Sequence, residues 1–188
     1  MKRDTYHHGD LRETLLMLAI ETLERGGPET LALRSLAGEA GVSGMAPYRH
    51  FKDKAALLEA VATRGFELLR AELVAVDDPG QPRRALVAFG AAYVRFALRR
   101  PGLFRVMFDG APPTPDDALS TDGSTVYGLF LSRIAQAAAP EQRADAFLAC
   151  WCLMHGLASL AVAGRLRNPS DPEALALRLG EFMLARLD

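Results

Sequence analysis

The sequence predicts an all-α protein, and three observations carry that prediction. Isoleucine occurs only at positions 20 and 134, whereas Leu and Ala are abundant, which favours helix over strand. Apolar residues recur at i, i+3, i+4 and i+7 rather than in alternation. Gly and Pro fall in a few clusters, leaving long segments between them without breakers. About nine helices are expected, divided into an N-terminal domain over 1–56 and a C-terminal helical domain over 57–188.

Taken in order, residues 1–9 form a short polar arm. Asp10 and Glu13 have capping-box spacing, and Leu11, Leu15, Leu18, Ala19, Thr22 and Leu23 then continue at helical spacing to about residue 25. Gly26-Gly27-Pro28 ends that helix through a left-handed cap and a proline that cannot continue it. Leu33, Leu36, Ala37 and Ala40 predict a short amphipathic helix, with Gly41 as its left-handed terminus. Val42 turns inward, the Ser43 hydroxyl caps the next segment, and Gly44 to Arg49 make one or two turns stiffened by Pro47. Phe51 plugs the core and Asp53 caps a helix running to about Val76, so the division between domains is expected within a helix rather than at a linker. Asp77-Asp78-Pro79-Gly80 breaks the chain. Further helices are expected over about 81–99, 103–108, 124–138, 141–166 and 171–187, with 109–123 a Pro- and Asp-rich loop.

Composition excludes some function classes. The formal net charge is −1, and residues 1–56 carry eight basic and eight acidic side chains, so bulk charge does not argue for nucleic-acid binding. Placement does, because Arg49, Lys52, Lys54 and His50 gather around one turn. The opening Met1-Lys-Arg-Asp does not read as a signal peptide, and no apolar run is taken to approach the roughly 18 residues of a membrane span. A cytoplasmic protein with no membrane partner is expected. Cys150, Cys152 and His155 invite a metal reading, but two residues apart on a helix are about 200° around its axis. Only Cys152 and His155 then share a face, too few for a closed site, so no metal and no cofactor is expected.

Two short helices joined by Gly41-Val42-Ser43 and followed by a third have the skeleton of a helix-turn-helix, whose second helix enters the major groove. An ordinary helical hairpin has the same spacing. If the segment reads DNA, its leading residues Ser43, Gly44, Met45 and Ala46 offer little bidentate chemistry. Readout would lean on Ser43, Tyr48, Arg49 and contacts to thymine methyls.

Val42-Ser43, followed by Tyr48-x-His50-Phe51-x-x-Lys54-x-x-Leu57, strongly resembles the DNA-binding domain of the tetracycline-repressor-like (TetR) family of bacterial transcriptional regulators. The likeness runs from Gly9 into the helix that begins near Lys54. It implies that Ser43, Gly44, Met45, Ala46, Pro47, Tyr48 and Arg49 face the groove, that Tyr48 and His50 touch phosphates, and that Lys54 clamps another phosphate. The family often has Ser or Thr where this chain has Ala32, which removes one expected cap. Arm residues Lys2, Arg3, His7 and His8 are weighed as a cationic arm for DNA against a solvated terminus.

Trp151, His155 and Gly156, with Arg100-Pro101-Gly102-Leu103-Phe104-Arg105-Val106-Met107-Phe108, resemble a sub-group whose C-terminal domain carries a Trp, His, Gly signature. That implies a ligand-binding and dimerisation domain. Candidate pocket residues are Phe89, Tyr93, Phe96, Phe104, Met107 and Phe108, together with Tyr127, Phe130, Trp151, Met154 and His155 as a polar anchor. Apolar residues at this spacing also make plain core. Candidate dimer residues are Leu157, Leu160, Ala161 and Gly164, and on the last helix Leu175, Leu179, Phe182 and Met183. An obligate interface of this kind buries roughly 2,000 Å² or more.

The expected function is therefore a dimeric bacterial regulator, a repressor on a pseudo-palindromic double-stranded DNA operator, released by a small apolar or aromatic effector. Two alternatives are a helix-turn-helix protein without an effector, and an all-α enzyme with His155 as base. No Ser-His-Asp spacing, paired carboxylates or phosphate-binding Gly loop supports the enzyme.

Overall fold

The computed structural model describes residues 11–109, 123–166 and 171–185. The arm, Asp10 of the capping box, most of the 109–123 segment and Asn168-Pro169-Ser170 lie outside the described residues. Eight α-helices and no strand occur among those described: α1 (Leu11–Gly26), α2 (Leu33–Glu39), α3 (Lys54–Val74), α4 (Pro82–Arg99), α5 (Pro101–Asp109), α6 (Val126–Ala137), α7 (Arg143–Val162) and α8 (Pro172–Leu184). Short 3-10 turns lie at Pro28–Thr30, Pro47–Arg49 and Pro140–Gln142.

Local signals set most ends. Gly27 has φ 76° and its N–H donates to the Leu23 carbonyl at 2.9 Å, closing α1. Gly41 has φ 70°, with Gly41 N–H donating to Gly38 at 3.1 Å and Val42 N–H to Ala37 at 2.9 Å. That pair is the Schellman arrangement, which needs a left-handed residue and so favours glycine. Asp53 accepts from the Ala56 amide at 2.8 Å, the capping role expected of it. Ala32 caps α2 with no side-chain hydrogen bond, the loss expected there.

The expected helix over Gly44–Arg49 is instead a 3-10 turn confined to Pro47–Arg49. Pro47 has no N–H to donate back to the Ser43 carbonyl, and Ala46 N–H takes that acceptor at 2.9 Å. Arg49 N–H to Ala46 and His50 N–H to Pro47 continue the three-residue spacing. Ala46 occupies the cap position, so the expected capping role of Ser43 is not the one adopted.

The described residues fall into two units, dividing between Gly65 and Phe66 inside α3 rather than at 56/57, and residues 102–109 group with the N-terminal unit. In that unit Leu15, Ala19 and Leu23 of α1, Leu36 and Ala37 of α2, Phe51, and Leu57 and Val61 of α3 are fully or almost fully buried. The Arg12 guanidinium lies 5.4 Å from the Phe51 ring centroid, a cation–π contact. Leu103 at the start of α5 is also buried, and the Glu24 carboxylate accepts from the Gly102 and Leu103 amides at 2.9 and 3.0 Å. A carboxylate from α1 thus caps the N-terminus of α5, where free amides and the helix dipole favour an anion.

The C-terminal unit is built around α4, whose Phe89, Ala92, Tyr93, Val94, Phe96 and Ala97 are fully buried among α6, α7 and α8. Polar ties fix its periphery. Arg133 of α6 makes a two-pronged hydrogen bond to Asp77 at 2.7 and 2.5 Å, both side chains about nine-tenths buried. That bond holds the Arg133 guanidinium above its ordinary range. Arg95 pairs with Glu173, and Asp171 caps α8 through the Glu173 and Ala174 amides at 3.0 and 3.1 Å.

Candidate nucleic-acid interface and C-terminal aromatic cluster

Behind the Gly41 turn, Ser43, Gly44, Met45, Tyr48, Arg49 and His50 are exposed, Met45 by 65%. Ala46 is half-buried. Pro47 is buried, so this proposed groove residue anchors the segment and does not face solvent. Pro47 and Phe51 hold the turn on the core, and residues 43–45 before them and 48–50 between them are exposed. Arg34 is also exposed, on the first turn of α2.

Lys54 opens α3 and its ammonium donates to the Pro28 carbonyl at 2.6 Å. An ammonium carries three donors, so two remain for a phosphate held at that helix end. With Asp53 engaged by the Ala56 amide, Arg49, Lys52 and Lys54 give this short stretch a local positive balance.

In the C-terminal unit the expected pocket residues divide. Phe104, Met107 and Phe108 lie on α5 in the N-terminal unit, where Phe104 and Phe108 rings are 5.0 Å apart, so the structure does not group them with the others. Tyr93, Tyr127, Trp151 and His155 do come together. The Tyr93 hydroxyl and His155 Nδ1 share a 2.9 Å hydrogen bond, and Trp151 stacks on the His155 ring at 5.5 Å and 12°. Tyr127 lies 5.0 Å from Trp151 and 6.5 Å from Phe66. Phe89 packs edge-on against Phe130 at 5.1 Å within the core. Phe96 is buried, as is Met154 beside Gly90.

Gly90, Cys150, Met154, Leu157 and Met183 help to line a cavity of about 20 Å³, room for one water and not for an effector. A larger open groove of about 400 Å³ runs between α4 and α8, along Arg83, Arg84, Val87, Leu177 and Glu181, and was not anticipated.

Burial holds the Tyr93 hydroxyl well above its ordinary pKa and pushes Tyr127 up to about 12, so both stay protonated. Burial also lowers the His155 pKa below its ordinary 6.5, favouring the neutral ring. An unfolded chain therefore takes up a proton at His155 at a higher pH than the folded one, and stability rises with pH across that interval. The His155 contribution is present above about pH 6.5 and declines as pH falls through the lowered folded value. Thermal midpoints of the wild-type chain are expected to fall between pH 7.5 and 5 more steeply than those of His155→Gln. Parallel curves would contradict this assignment.

Cys150 is buried, its thiol pushed up to about 11 by desolvation, while Cys152 is exposed. Among the described residues no group of three or more His, Cys, Asp or Glu side chains is placed to hold a metal.

The dimer candidates also separate. Leu160, Gly164 and Phe182 are exposed, and Ala161, Leu175, Leu179 and Met183 are half-buried. Leu157 is 7% exposed and packs within its own chain, so it is unavailable to a partner. Gly164 has φ 65° and its N–H, with that of Arg165, closes α7 in a second Schellman pair. Leu148, at 58%, and Cys152 are also exposed on α7, where 148, 152, 156 and 160 recur at i+4 and so share one side of the helix. The segment Pro140–Val162 is 23 residues long and apolar enough to span a membrane by length and composition, which corrects the expectation that no apolar run approaches such a span. α7 packs on α4, α6 and α8 and leaves Leu148, Cys152 and Leu160 exposed on its outer side.

A solvent-facing segment held behind a glycine turn on a small helical core, with cations gathered at one end, defines a helix-turn-helix DNA-binding regulator. Residues 15–61 match the family of bacterial regulatory proteins, tetR family, and residues 86–183 match the tetracyclin repressor-like C-terminal domain. The chain belongs to the tetR family of bacterial regulatory proteins. It is 32% identical to a protein of unknown function from Rhodococcus sp. RHA1, with a TM-score of 0.79, covering 98% of this chain and 99% of that one. The fold is shared with a TetR variant from Acinetobacter baumannii AYE solved with minocycline, at 21% identity, 96% of each chain and a TM-score of 0.66. Nucleoid occlusion factor SlmA of Shewanella amazonensis is 29% identical over 127 residues, 66% of this chain and 64% of that relative, so the match spans less than two thirds of its length. Members of the family are transcriptional regulators, and the helical-enzyme alternative is set aside on that ground.

Proposed function

We propose that the chain works as a cytoplasmic homodimeric repressor, with one reading head per protomer on a pseudo-palindromic operator. The observation that carries the DNA contact is the outward set Ser43, Tyr48, Arg49 and His50, anchored by buried Pro47 and Phe51 and flanked by Lys54. Tyr48 and His50 supply phosphate contacts that fix register, and Lys54 adds a charge at a helix N-terminus. Pairing through α7 and α8 would place two heads on successive major grooves, roughly 34–36 Å apart.

Regulation follows as a population shift. An apolar or aromatic effector among Tyr93, Tyr127, Trp151 and His155 would favour a dimer geometry that no longer matches that spacing, with α3 transmitting the change. The rings now fill this region by packing on one another, so a ligand must part them. A regulator without an effector is favoured to the extent that the 20 Å³ cavity does not open, and a thermal-shift screen of aromatic compounds with an operator-release readout separates the two.

Operator affinity should fall steeply with salt. Tyr48→Ala and Lys54→Ala should each weaken it about tenfold, and Lys54→Ala should also reduce the salt slope by about one per half-site. Fluorescence anisotropy across a salt series checks this, and binding indifferent to both substitutions would remove the proposal.

A further inference from the structure

Gly44 stands at the exposed leading end of the reading segment, and the fold supplies no reason for a glycine there. A Cβ added at Gly44 would meet nothing within 4 Å, and its φ is not in the left-handed region. Gly41, three residues earlier, also has open space but is held at φ 70°, where glycine is favoured. A glycine that the folded chain does not require still carries the conformational freedom of its unfolded state, which an alanine would reduce. Its neighbour Met45 points 65% of its surface to solvent. Between Ser43 and Ala46 there is no guanidinium, amide or carboxylate to make a bidentate bond to a base.

We propose that Gly44 and Met45 together set specificity at one base pair of the operator half-site, Gly44 by letting the backbone approach the major-groove edge and Met45 by packing on a thymine C5-methyl group. The inference rests on the DNA-reading role of this segment. Thymine alone offers a methyl group on that edge, and a thioether side chain has no strong donor or acceptor with which to favour guanine, adenine or cytosine. Met45 is unbranched and polarizable, so it can settle on a methyl whose position varies slightly between half-sites. Specificity at this base pair is then read as apolar contact area.

The test selects an operator from random duplex DNA with the full chain and then replaces each thymine of the half-site by deoxyuridine, which removes one methyl group and no hydrogen-bonding atom. One position should bind the wild-type chain roughly fourfold more weakly per half-site after replacement, the value for one buried carbon. Met45→Ala should bind the two duplexes alike. Gly44→Ala should melt no lower than wild type and bind the selected operator at least tenfold more weakly. Deoxyuridine without effect at every position, a loss that persists in Met45→Ala, or Gly44→Ala with wild-type affinity or a lowered melting temperature would each overturn the inference while DNA binding itself stands. Failure to select or bind any duplex would overturn the DNA-reading role and this inference with it.

Discussion

Leu160→Glu is expected to convert the proposed dimer to a monomer and to lower operator affinity by at least a hundredfold. Leu160 is 45% exposed in the single chain, so a glutamate there is solvated, and glutamate is a good helix former. The monomer fold should be unchanged. In the proposed two-fold pair the same position appears on both protomers, so the substitution would carry two carboxylates into an apolar surface to which the exposed Leu148, Cys152 and Phe182 would contribute. A monomer engages one half-site at a time and loses the effective concentration that a second linked head provides, commonly worth 10²–10⁴. Sedimentation and anisotropy on one sample check both halves of the expectation. A variant that remains dimeric would place the interface elsewhere, and a monomer with undiminished operator affinity would show that pairing is not needed.

For Gly102→Ala the expected result is a loss of stability of about 2–3 kcal/mol in the N-terminal unit, from overpacking and a weakened cap. The added Cβ would lie 2.4 Å from the Leu23 carbonyl oxygen, 2.6 Å from its carbon and 2.9 Å from the Glu24 nitrogen. All three are backbone atoms, so no rotamer change relieves the clash. Either the end of α1 shifts or α5 lifts away, stretching the two hydrogen bonds from Gly102 and Leu103 to Glu24. Gly156→Ala is the internal control, since a Cβ there meets nothing within 4 Å of its own chain. It should be neutral or stabilising in the monomer, because alanine suits a helix interior better than glycine. Urea denaturation of the three chains measures the difference, and equal stability of Gly102→Ala and wild type would show that α5 is not held against α1 as described.

These two sites illustrate different kinds of information. The end of α1 at Gly27, the end of α2 at Gly41 and the start of α3 at Asp53 were all legible in the sequence, because each depends on a few adjacent residues and their backbone preferences. Family membership was legible for the same reason, since Tyr48, His50, Phe51 and Lys54 keep a fixed local spacing. Apolar periodicity announced that α5 and α7 have buried faces, but it carries no label for what covers them.

What the sequence by itself determined was the helical class, most helix boundaries and the family membership. The tertiary structure decided that Pro47 and Leu157 are inside, that Leu148 and Cys152 are outside, and that α5 joins the N-terminal unit with its amides on Glu24. It also decided that Lys54 reaches Pro28, 26 residues away, and that Tyr93 reaches His155, 62 away. Helix formation follows from interactions within about four residues, whereas burial and long-range hydrogen bonds follow from which faces meet, and that choice exists only once the helices have packed.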